Sequence, residues 1–520
     1  MSGEATSIKV RPPAPPSAPA RPRWRRGDAS GREARTGLDV RVAGLALGSI
    51  VALSLFIVLI TANRPSLLAP TTHTGFYPHW MSGPLGGLLP GLTGNSTTLR
   101  FMFTGAIVVM FVAYVWVLRC APRVPVGWVV AAIVLVHAIF LISPPLALTD
   151  MFNYINYGRM EVVHNLNPYT TIPVLEPHND PSYALSNWHE LLSPYGPLFT
   201  LLTFAVVPLG VAGSFWALKG ILVAASLAII LLVWKCARLL GREPVGAIVL
   251  VGLNPIVLVW GLGAGHNDFL MILLIMIGFY LLLLSHAFDR HEEPLGPLSR
   301  LPAAARGWLL PLSAAQIGAG SAFVGAAAIK ASGAVLIPVV LAGLLRTPRV
   351  LVQVLVGMVL AAAVVAFSSL LAFGLHIPDL STQGSLVTGE SVPNLIGLAI
   401  GAGGESDALR KVLIVILLAS VAGCCWLAWR RRATITAAGW ASVALLVTLS
   451  WVLPWYVLWV LPMAALSSSV WLRRVSLLLG VYLIIAWAPV SGLLWDAIHF
   501  YPERTPLGRL HQRAVRELLN

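Results

Sequence analysis

The segment Leu148-Thr-Asp-Met-Phe-Asn-Tyr-Ile-Asn-Tyr-Gly-Arg-Met160 follows an apolar run that ends at Pro144-Pro145, so its carboxylate lies beside a membrane-spanning stretch. In a helix, polar side chains would recur here at i, i+3, i+4, i+7 and i+11, on one face. That polar face holds Asp150, Asn153, Tyr154, Tyr157 and Glu161, and the apolar face holds Met151, Ile155, Val162 and Leu166. Such a helix is predicted to lie flat on a membrane surface with its acid facing a cavity, where Asp150 can act as a base.

Helix capping is the structural alternative for Asp150, because Asp is a favoured N-cap residue. The segment nevertheless carries more hydrogen-bonding groups than a cap requires, which favours the catalytic interpretation. These groups belong to Asn153, Tyr154, Asn156, Tyr157 and Arg159.

The composition predicts a membrane protein. The 520 residues are 57% hydrophobic and only 11% charged, with a mean hydropathy of +0.81, whereas soluble domains carry about 25% charged residues. The net charge of +14 comes from short basic clusters between apolar runs. Because no basic domain with interleaved aromatic residues is present, the charge indicates membrane orientation and argues against a nucleic-acid partner.

Apolar runs able to cross a ~30 Å hydrocarbon layer recur along the chain. They predict an all-α polytopic membrane protein with about 13 transmembrane helices and amphipathic helices in the external loop after the third span. The predicted spans are 43–62, 100–118, 127–143, 214–235, 245–262, 268–285, 309–327, 329–346, 350–374, 410–429, 434–451, 453–470 and 475–491.

The domain organisation follows from these spans. Residues 1–40, rich in Pro, Ala and Arg, predict a disordered cytoplasmic tail. Residues 41–126 hold two transmembrane helices with an external loop, and residues 127–491 form a catalytic membrane core. The external catalytic loop of that core is 144–213, and 492–520 form a C-terminal tail.

The basic clusters predict which side each loop occupies, because Lys and Arg accumulate on the cytoplasmic side. With the N-terminal tail inside, Asp150 falls on the external, periplasmic face of the plasma membrane. The apolar stretch 197–210 is too short for an ordinary span and is predicted to be re-entrant or interfacial, which keeps later basic clusters inside.

Three polar residues and a lysine near the outer membrane boundary are candidate binding groups. His266, Asn267 and Asp268 lie between two spans, and polar groups at that depth usually face a cavity, although an exposed loop triplet is the alternative. Lys330, between apolar runs, can bind an anionic phosphate or simply extend its ammonium to the interface. The sequence offers too few ligands for a metal site, and no cofactor is predicted.

Aromatic residues near the same boundary admit two interpretations. Tyr169 in Asn167-Pro-Tyr169 and Tyr195 in Ser193-Pro-Tyr-Gly-Pro197 can stack on a sugar or anchor the chain at the membrane interface, and the Pro and Gly residues mark turns. The cluster Leu453-Pro-Trp-Tyr-Val-Leu-Trp459 is typical of interface anchoring.

The order of these motifs resembles the GT-C membrane glycosyltransferases over residues 130–470. It is most similar to the actinobacterial polyprenyl-phosphate-mannose-dependent α-1,6-mannosyltransferases that build lipomannan and lipoarabinomannan backbones. The matching pieces are Ser143-Pro-Pro with Asp150 and Tyr154, Asn167-Pro-Tyr169, Ser193-Pro-Tyr-Gly-Pro-Leu-Phe199, Asn254-Pro255 with Gly265-His-Asn267, and Lys330.

The resemblance implies a GT-C-like core and transfer of mannose from a polyprenyl-phosphate-mannose donor to a mannan-type glycolipid acceptor. Inversion needs one general base, and Asp150 is the residue expected to supply it. The residues expected to bind the donor phosphate or substrate are His266, Asn267, Asp268, Lys330, Arg159, Tyr154, Tyr157, Tyr169 and Tyr195.

Other functions remain open at this stage. A GT-C enzyme that uses another polyprenyl-phosphate sugar, such as arabinose, would share the layout. A lipid-linked-sugar flippase would also have many spans, but it should show internal repeats and charges near the midplane. A purely structural assembly partner would need neither the polar face of Asp150 nor Lys330.

Overall fold

The computed structural model describes residues 27–63, 78–88, 96–146, 150–285, 287, 313–374, 376–501 and 504. Over these ranges the protein contains helices and no β-strand. The α-helices are α1 Gly27–Asn63, α2 Ser96–Cys120, α3 Val126–Leu141, α4 Asp150–His164, α5 Pro197–Val206, α6 Gly210–Leu239, α7 Pro244–Gly252, α8 Asp268–Leu284, α9 Ala314–Ile329, α10 Leu336–Leu344, α11 Pro348–Phe373, α12 Ser381–Ser385, α13 Val392–Ala399, α14 Asp407–Arg431, α15 Thr434–Thr448, α16 Leu461–Leu466, α17 Val470–Trp487 and α18 Ser491–Ala497.

The helices have the composition of a protein embedded in a membrane. Within the described ranges, six helical stretches are long and apolar enough to cross a bilayer, and a seventh arises if a bent pair is counted as one. Six further apolar helices contain 10–17 residues. Each apolar run predicted from sequence overlaps one of the helices, whereas the number of crossings, about 13, stays a prediction.

Two boundaries predicted from the sequence fall inside continuous helical stretches of the structure. Helix α1 begins at Gly27, inside the region 1–40 assigned to the tail, and residues 1–26 lie outside the described ranges. Helices α5 and α6 are joined by a 3-10 turn, Val207–Leu209, into one 43-residue helical stretch, with Gly210 at a φ of 70°. Which leaflet α5 occupies stays a prediction.

Small residues allow α9 and α11 to pack with their backbones in close contact. A Cβ atom at Gly320 would collide with the Val354 carbonyl oxygen, and one at Gly357 would collide with the Ile317 carbonyl oxygen. Membrane helices associate through such close backbone contact, because lipid provides little hydrophobic drive. This packing fixes α9, whose last residue precedes Lys330.

The candidate residues His266 and Lys330 lie where helices are interrupted, not in the interior of a helix. After α7, the Asn254 amide oxygen accepts hydrogen bonds from the backbone N–H groups of Ile256 and Val257, at 3.0 and 3.3 Å. The chain then bends by 57° into the π-helix Val257–Gly263. Gly265 follows with a φ of 81°, and the turn places His266 ahead of α8.

A second break lies between α9 and α10. Lys330 has an extended backbone, with φ −153° and ψ 129°, and the 3-10 helix Ala331–Val335 follows it. A third break separates α15 from the 3-10 helix Pro454–Trp459. Non-helical backbone within a membrane domain is tolerated where it lines a cavity, and all three breaks meet at one.

Candidate active site

The three breaks and the start of α4 enclose a cavity of about 360 Å³. One wall carries tyrosines and Asp150, a second carries His266 and Lys330, and a third is aromatic and aliphatic. The lining residues are Asp150, Tyr154, Tyr157, Trp188, Leu191, Pro194, Tyr195, His266, Lys330, Ala331, Ser332, Leu380, Gly384, Leu386, Leu445, Leu449, Trp451, Leu453, Trp455, Tyr456, Trp459 and Trp487. The volume falls within the range of small-molecule sites.

In the described part of the chain, helix α4 starts at Asp150, and three residues of its predicted polar face reach the cavity. Asp150, Tyr154 and Tyr157 line the cavity, whereas Met151 and Ile155 on the other face are fully buried. The predicted orientation of α4, flat on the membrane surface, stays a prediction.

The Asp150 carboxylate has few close partners. Its side chain is 16% exposed, the Tyr195 hydroxyl lies 3.5 Å from Oδ1, and His266 Nδ1 lies 3.7 Å from Oδ2. Both distances are at or beyond the limit of a good hydrogen bond. Burial raises the pKa of Asp150 to about 6; Lys330 and the Tyr195 hydroxyl lower it, and the Asp268 charge raises it. The carboxylate therefore keeps lone pairs available and has a basicity suited to proton abstraction near neutral pH.

Asp268 is bonded on every side. Lys330 Nζ lies 3.0 Å from each carboxylate oxygen, and the indole N–H groups of Trp455 and Trp459 donate at 3.1 and 2.6 Å. Its side chain is only 1% exposed. The Lys330 ammonium also lies over the rings of Tyr456 and Trp459, at 4.7 and 5.4 Å from their centroids. Asp268 thus holds the cation of the cavity in place.

His266 presents a neutral imidazole to the cavity. It is buried and stacks on Trp455, with ring centroids 3.4 Å apart and planes within 7°. Burial lowers the pKa of His266 well below its ordinary value, and Lys330 acts in the same direction while a backbone contact to Trp260 opposes it. Its Nε2 atom is buried and has no hydrogen-bond partner in the described part of the chain.

Asn267 lies behind this wall rather than on it. Its side chain is fully buried, and neither the amide oxygen nor the amide nitrogen has a partner among the described residues. Its backbone N–H donates to the Tyr154 hydroxyl at 3.4 Å, which ties α4 to the turn before α8.

The four predicted tyrosines occupy different places. Tyr154 and Tyr195 line the cavity in edge-to-face contact at 4.8 Å, and Tyr157 lines it while donating to the Leu191 carbonyl oxygen at 2.8 Å. Tyr169 lies outside the lining, buried, where its hydroxyl donates to the Tyr195 carbonyl oxygen at 2.9 Å. Tyr169 therefore supports the loop that carries Tyr195.

Arg159 also lies outside the cavity lining. Its guanidinium forms a bidentate pair with Asp180, at 2.8 to 3.1 Å, and His164 contacts the same carboxylate at 2.8 Å. Although burial alone raises the pKa of Asp180, the donors around it hold that pKa well below its usual range. The structure thus separates Arg159 from the cavity-lining candidates Asp150, His266 and Lys330.

A single backbone hydrogen bond brings two walls of the cavity together. The Gly196 N–H donates to the Ile329 carbonyl oxygen at 3.1 Å, and a Cβ atom at Gly196 would collide with the Ala328 carbonyl. Tyr195 and Lys330, each adjacent to one end of this bond, are brought together by it.

Sequence reasoning missed three residues near the site. Trp188 and Trp451 line the cavity in edge-to-face contact at 6.1 Å, and only their aromatic character could have singled them out. Lys219 is buried within α6, and its signal was available, since a charge inside an apolar helix is a functional candidate. The described residues contain no group of three or more His, Cys, Asp or Glu that could hold a metal.

Comparison with known proteins decides the family. The sequence model of the alpha-(1->6)-mannopyranosyltransferase N-terminal domain matches residues 66–346, more than half of the chain. The chain belongs to this family.

Relatives of this mannosyltransferase family occur in mycobacteria. The chain is 26% identical over 402 residues to an alpha-(1->6)-mannopyranosyltransferase of Mycobacterium tuberculosis, which covers 68% of this chain and 67% of the relative. It is 26% identical over 381 residues to a probable alpha-(1->6)-mannopyranosyltransferase of Mycolicibacterium smegmatis, covering 66% of each.

A shorter match, 34% identical over 148 residues, is to alpha-(1->6)-mannopyranosyltransferase A of Mycobacterium tuberculosis, covering 27% of this chain and 28% of the relative. The chain thus spans about two thirds of the length of the two longer matches. No solved structure matches the chain.

Proposed function

We propose that this family member transfers mannose from a polyprenyl-phosphate-mannose donor to a mannan-type glycolipid, of the lipomannan or lipoarabinomannan kind, forming an α-1,6 linkage with inversion. The observation that carries the proposal is one cavity that holds an under-bonded carboxylate, Asp150, and a fixed cation, Lys330. The reaction needs both a base and a partner for a phosphate.

The proposed reaction is a single displacement. The acceptor hydroxyl gives its proton to Asp150, its oxygen bonds to C1 of mannose, and the bond from C1 to the phosphate oxygen breaks. The electron pair of that bond stays on the polyprenyl phosphate. Starting from a β-linked donor, one displacement gives an α product and requires one base, whereas retaining chemistry requires a second carboxylate as nucleophile.

Lys330 and His266 are the proposed partners of the donor phosphate. Preorganised donors stabilise the charge that develops on a leaving group most effectively when the site excludes water. Lys330 is held by Asp268, so the ammonium is oriented before the donor arrives. His266 lines the same cavity as Lys330, and its imidazole lies beside Asp150.

Trp188 and Trp451 are the proposed platform for the acceptor sugar, since an indole face packs well on the C–H face of a pyranose. Asn153 Oδ1 accepts a hydrogen bond from the backbone N–H of Trp188 at 3.4 Å, so the backbone of Trp188 is tied to the helix that carries Asp150. Trp451 is held by its neighbours, because Thr388 bonds the Ser450 carbonyl and the Val452 N–H at 2.9 and 3.2 Å.

The active site is proposed to lie on the external face of the plasma membrane. The sidedness rests on the basic clusters at the opposite ends of the predicted spans, such as Arg119, Arg123 and the run Arg430-Arg431-Arg432. Residues 127–491 are the proposed GT-C-like core, and the external loop 144–213 supplies the base.

The test uses the full-length protein in nanodiscs with radiolabelled polyprenyl-phosphomannose and a short mannoside acceptor. We expect an α-1,6-linked product from the wild type, identified by linkage analysis. Asp150→Asn should lower transfer by about 10²–10⁴-fold, as loss of a general base does. Asp407→Asn, an exposed acid at the start of α14, is the matched control and should retain activity.

Three outcomes would contradict the proposal. These are near-normal transfer by Asp150→Asn, use of polyprenyl-phosphoarabinose in place of the mannose donor, and movement of intact donor across the bilayer without product.

A further inference from the structure

Lys219 is a buried cation that the proposed reaction does not use. It lies in α6, is 1% exposed, and packs beside the rings of Phe215 and Trp216 at 5.6 and 6.0 Å. In the described ranges no carboxylate lies within ion-pair distance of its Nζ. A charge in such surroundings is expensive and is expected to have a defined task.

The partners of Lys219 are oxygen atoms at two helix breaks. Nζ donates to the Ser143 hydroxyl at 2.6 Å, to the Ser143 carbonyl, and to the Pro144 and Gly263 carbonyls at 3.3 Å each. Ser143 and Pro144 lie just beyond the end of α3, and Gly263 ends the π-helix. Carbonyl oxygens at a helix C-terminus carry partial negative charge, so oxygens at these chain ends can surround an ammonium group.

One of these two segments leads along the chain to Asp150, and the other leads to His266. Pro144 precedes the link to Asp150, and Gly263 precedes the turn that carries His266. The Leu146 N–H also donates to the Gly263 carbonyl oxygen, at 3.3 Å, so the two segments run together at this point. Lys219 contacts both segments from a third element, α6.

We infer that Lys219 is a positioning residue that sets the separation of Asp150 and His266. The inference rests on the proposed function, in which Asp150 is the base. Without the ammonium, four oxygen contacts are lost and the two segments can part. Displacing reacting groups by about 1 Å costs on the order of 10²-fold in rate.

The test compares Lys219→Met with Lys235→Met. Both lysines lie on α6, but Lys235 is exposed, and its ammonium lies over the Tyr280 ring at 5.5 Å from the centroid. For folded protein in nanodiscs, Lys219→Met should lower kcat by about 10–100-fold with KM for donor and acceptor changed by about twofold or less. Lys235→Met should match the wild type. Equal kcat in the two variants, or a loss confined to the yield of folded protein, would overturn the inference.

Ser143→Ala provides a milder variant in case Lys219→Met does not fold. It removes one side-chain partner and leaves the ammonium in place, so kcat should fall by a smaller factor. In the Lys219→Met background the same change should have no further effect, because the two residues act through one contact. Fully additive effects would show that the contact does not matter.

Hydrogen exchange gives a reading that does not depend on turnover. The Leu146 amide and peptides covering 263–268 should exchange faster in Lys219→Met and unchanged in Lys235→Met. If the wild type transfers no mannose, the proposed function fails while this comparison still tests the positioning. If exchange is unchanged, the positioning fails whatever the activity.

Discussion

Asp150 and Asp268 differ in how fully their carboxylates are bonded, although the charge of Asp268 raises the pKa of Asp150. Asp268 receives Lys330 on both oxygens and two indole N–H groups, and its side chain is almost fully buried. Asp150 has one hydroxyl at 3.5 Å and one imidazole at 3.7 Å. The comparison separates a carboxylate that holds other groups in place from one that can take a proton.

The distinction follows from lone pairs. A carboxylate can accept from about four directions, and the four hydrogen bonds from three donor groups leave Asp268 no free direction for a substrate hydroxyl. Asp150 keeps free positions, and its raised pKa makes it a stronger base than an exposed Asp. The pair is therefore unlike the two reactive carboxylates of a retaining glycosidase.

The largest expected difference between the two acids is in their effects on folding. Asp268→Asn leaves the Lys330 ammonium without its counter-charge, so the free energy of unfolding should fall by about 3–5 kcal/mol and transfer should be lost. Asp150→Asn should lower transfer by about 10²–10⁴-fold while the free energy of unfolding stays essentially unchanged. Thermal unfolding in nanodiscs measures the stability of each variant, and the transfer assay measures its activity. An Asp268→Asn protein as stable as the wild type would contradict the structural role of Asp268.

Lys330→Met should weaken transfer by about 10–100-fold, because the donor phosphate loses a preorganised cation. Combined with Asp268→Asn, it should recover much of the lost stability, since removing both members of a buried pair costs less than removing one. Activity should not recover. A double variant that transfers mannose normally would reject Lys330 as the phosphate partner.

The pH profile should shift with the charge of Asp268. Transfer needs ionised Asp150, so kcat/KM should fall below pH about 6, about tenfold per unit. Asp268→Asn removes a charge that raises the pKa of Asp150, so any residual activity should extend to lower pH. If the fall of kcat/KM at low pH occurs at the same or a higher pH in Asp268→Asn, that fall reflects the titration of a group other than Asp150.

The smallest expected effect is at Tyr169. Tyr169→Phe removes two hydroxyl contacts outside the cavity, to the Tyr195 carbonyl and Thr200. The free energy of unfolding should fall by about 1 kcal/mol, with transfer within about twofold of the wild type. A large rise in the KM for donor or acceptor would instead support the sugar-stacking role that the sequence suggests for Tyr169.

Sequence patterns predict the helices and part of the cavity. Apolar runs of sufficient length fix where helices form, and Asp150 is the first described residue of α4. His266 and Lys330 were also predicted near a cavity, because polar groups are expensive in lipid, and both line it.

Partners across long stretches of chain could not be predicted. Asp268 is bonded by Lys330 at a separation of 62 residues and by Trp459 at 191, and Lys219 meets Ser143 at 76. Helical periodicity reports only on neighbours three or four residues apart. For the same reason, the sequence does not predict that Arg159 pairs with Asp180, although both residues lie in the loop 144–213.

Trp455 belongs to both carboxylate environments. Its indole N–H donates to Asp268, and its ring face supports His266 beside Asp150. Trp455 therefore joins the residue that holds Lys330 to the imidazole beside Asp150 through one rigid aromatic plane. Replacing the indole by a smaller side chain would remove a contact from both carboxylate environments at once.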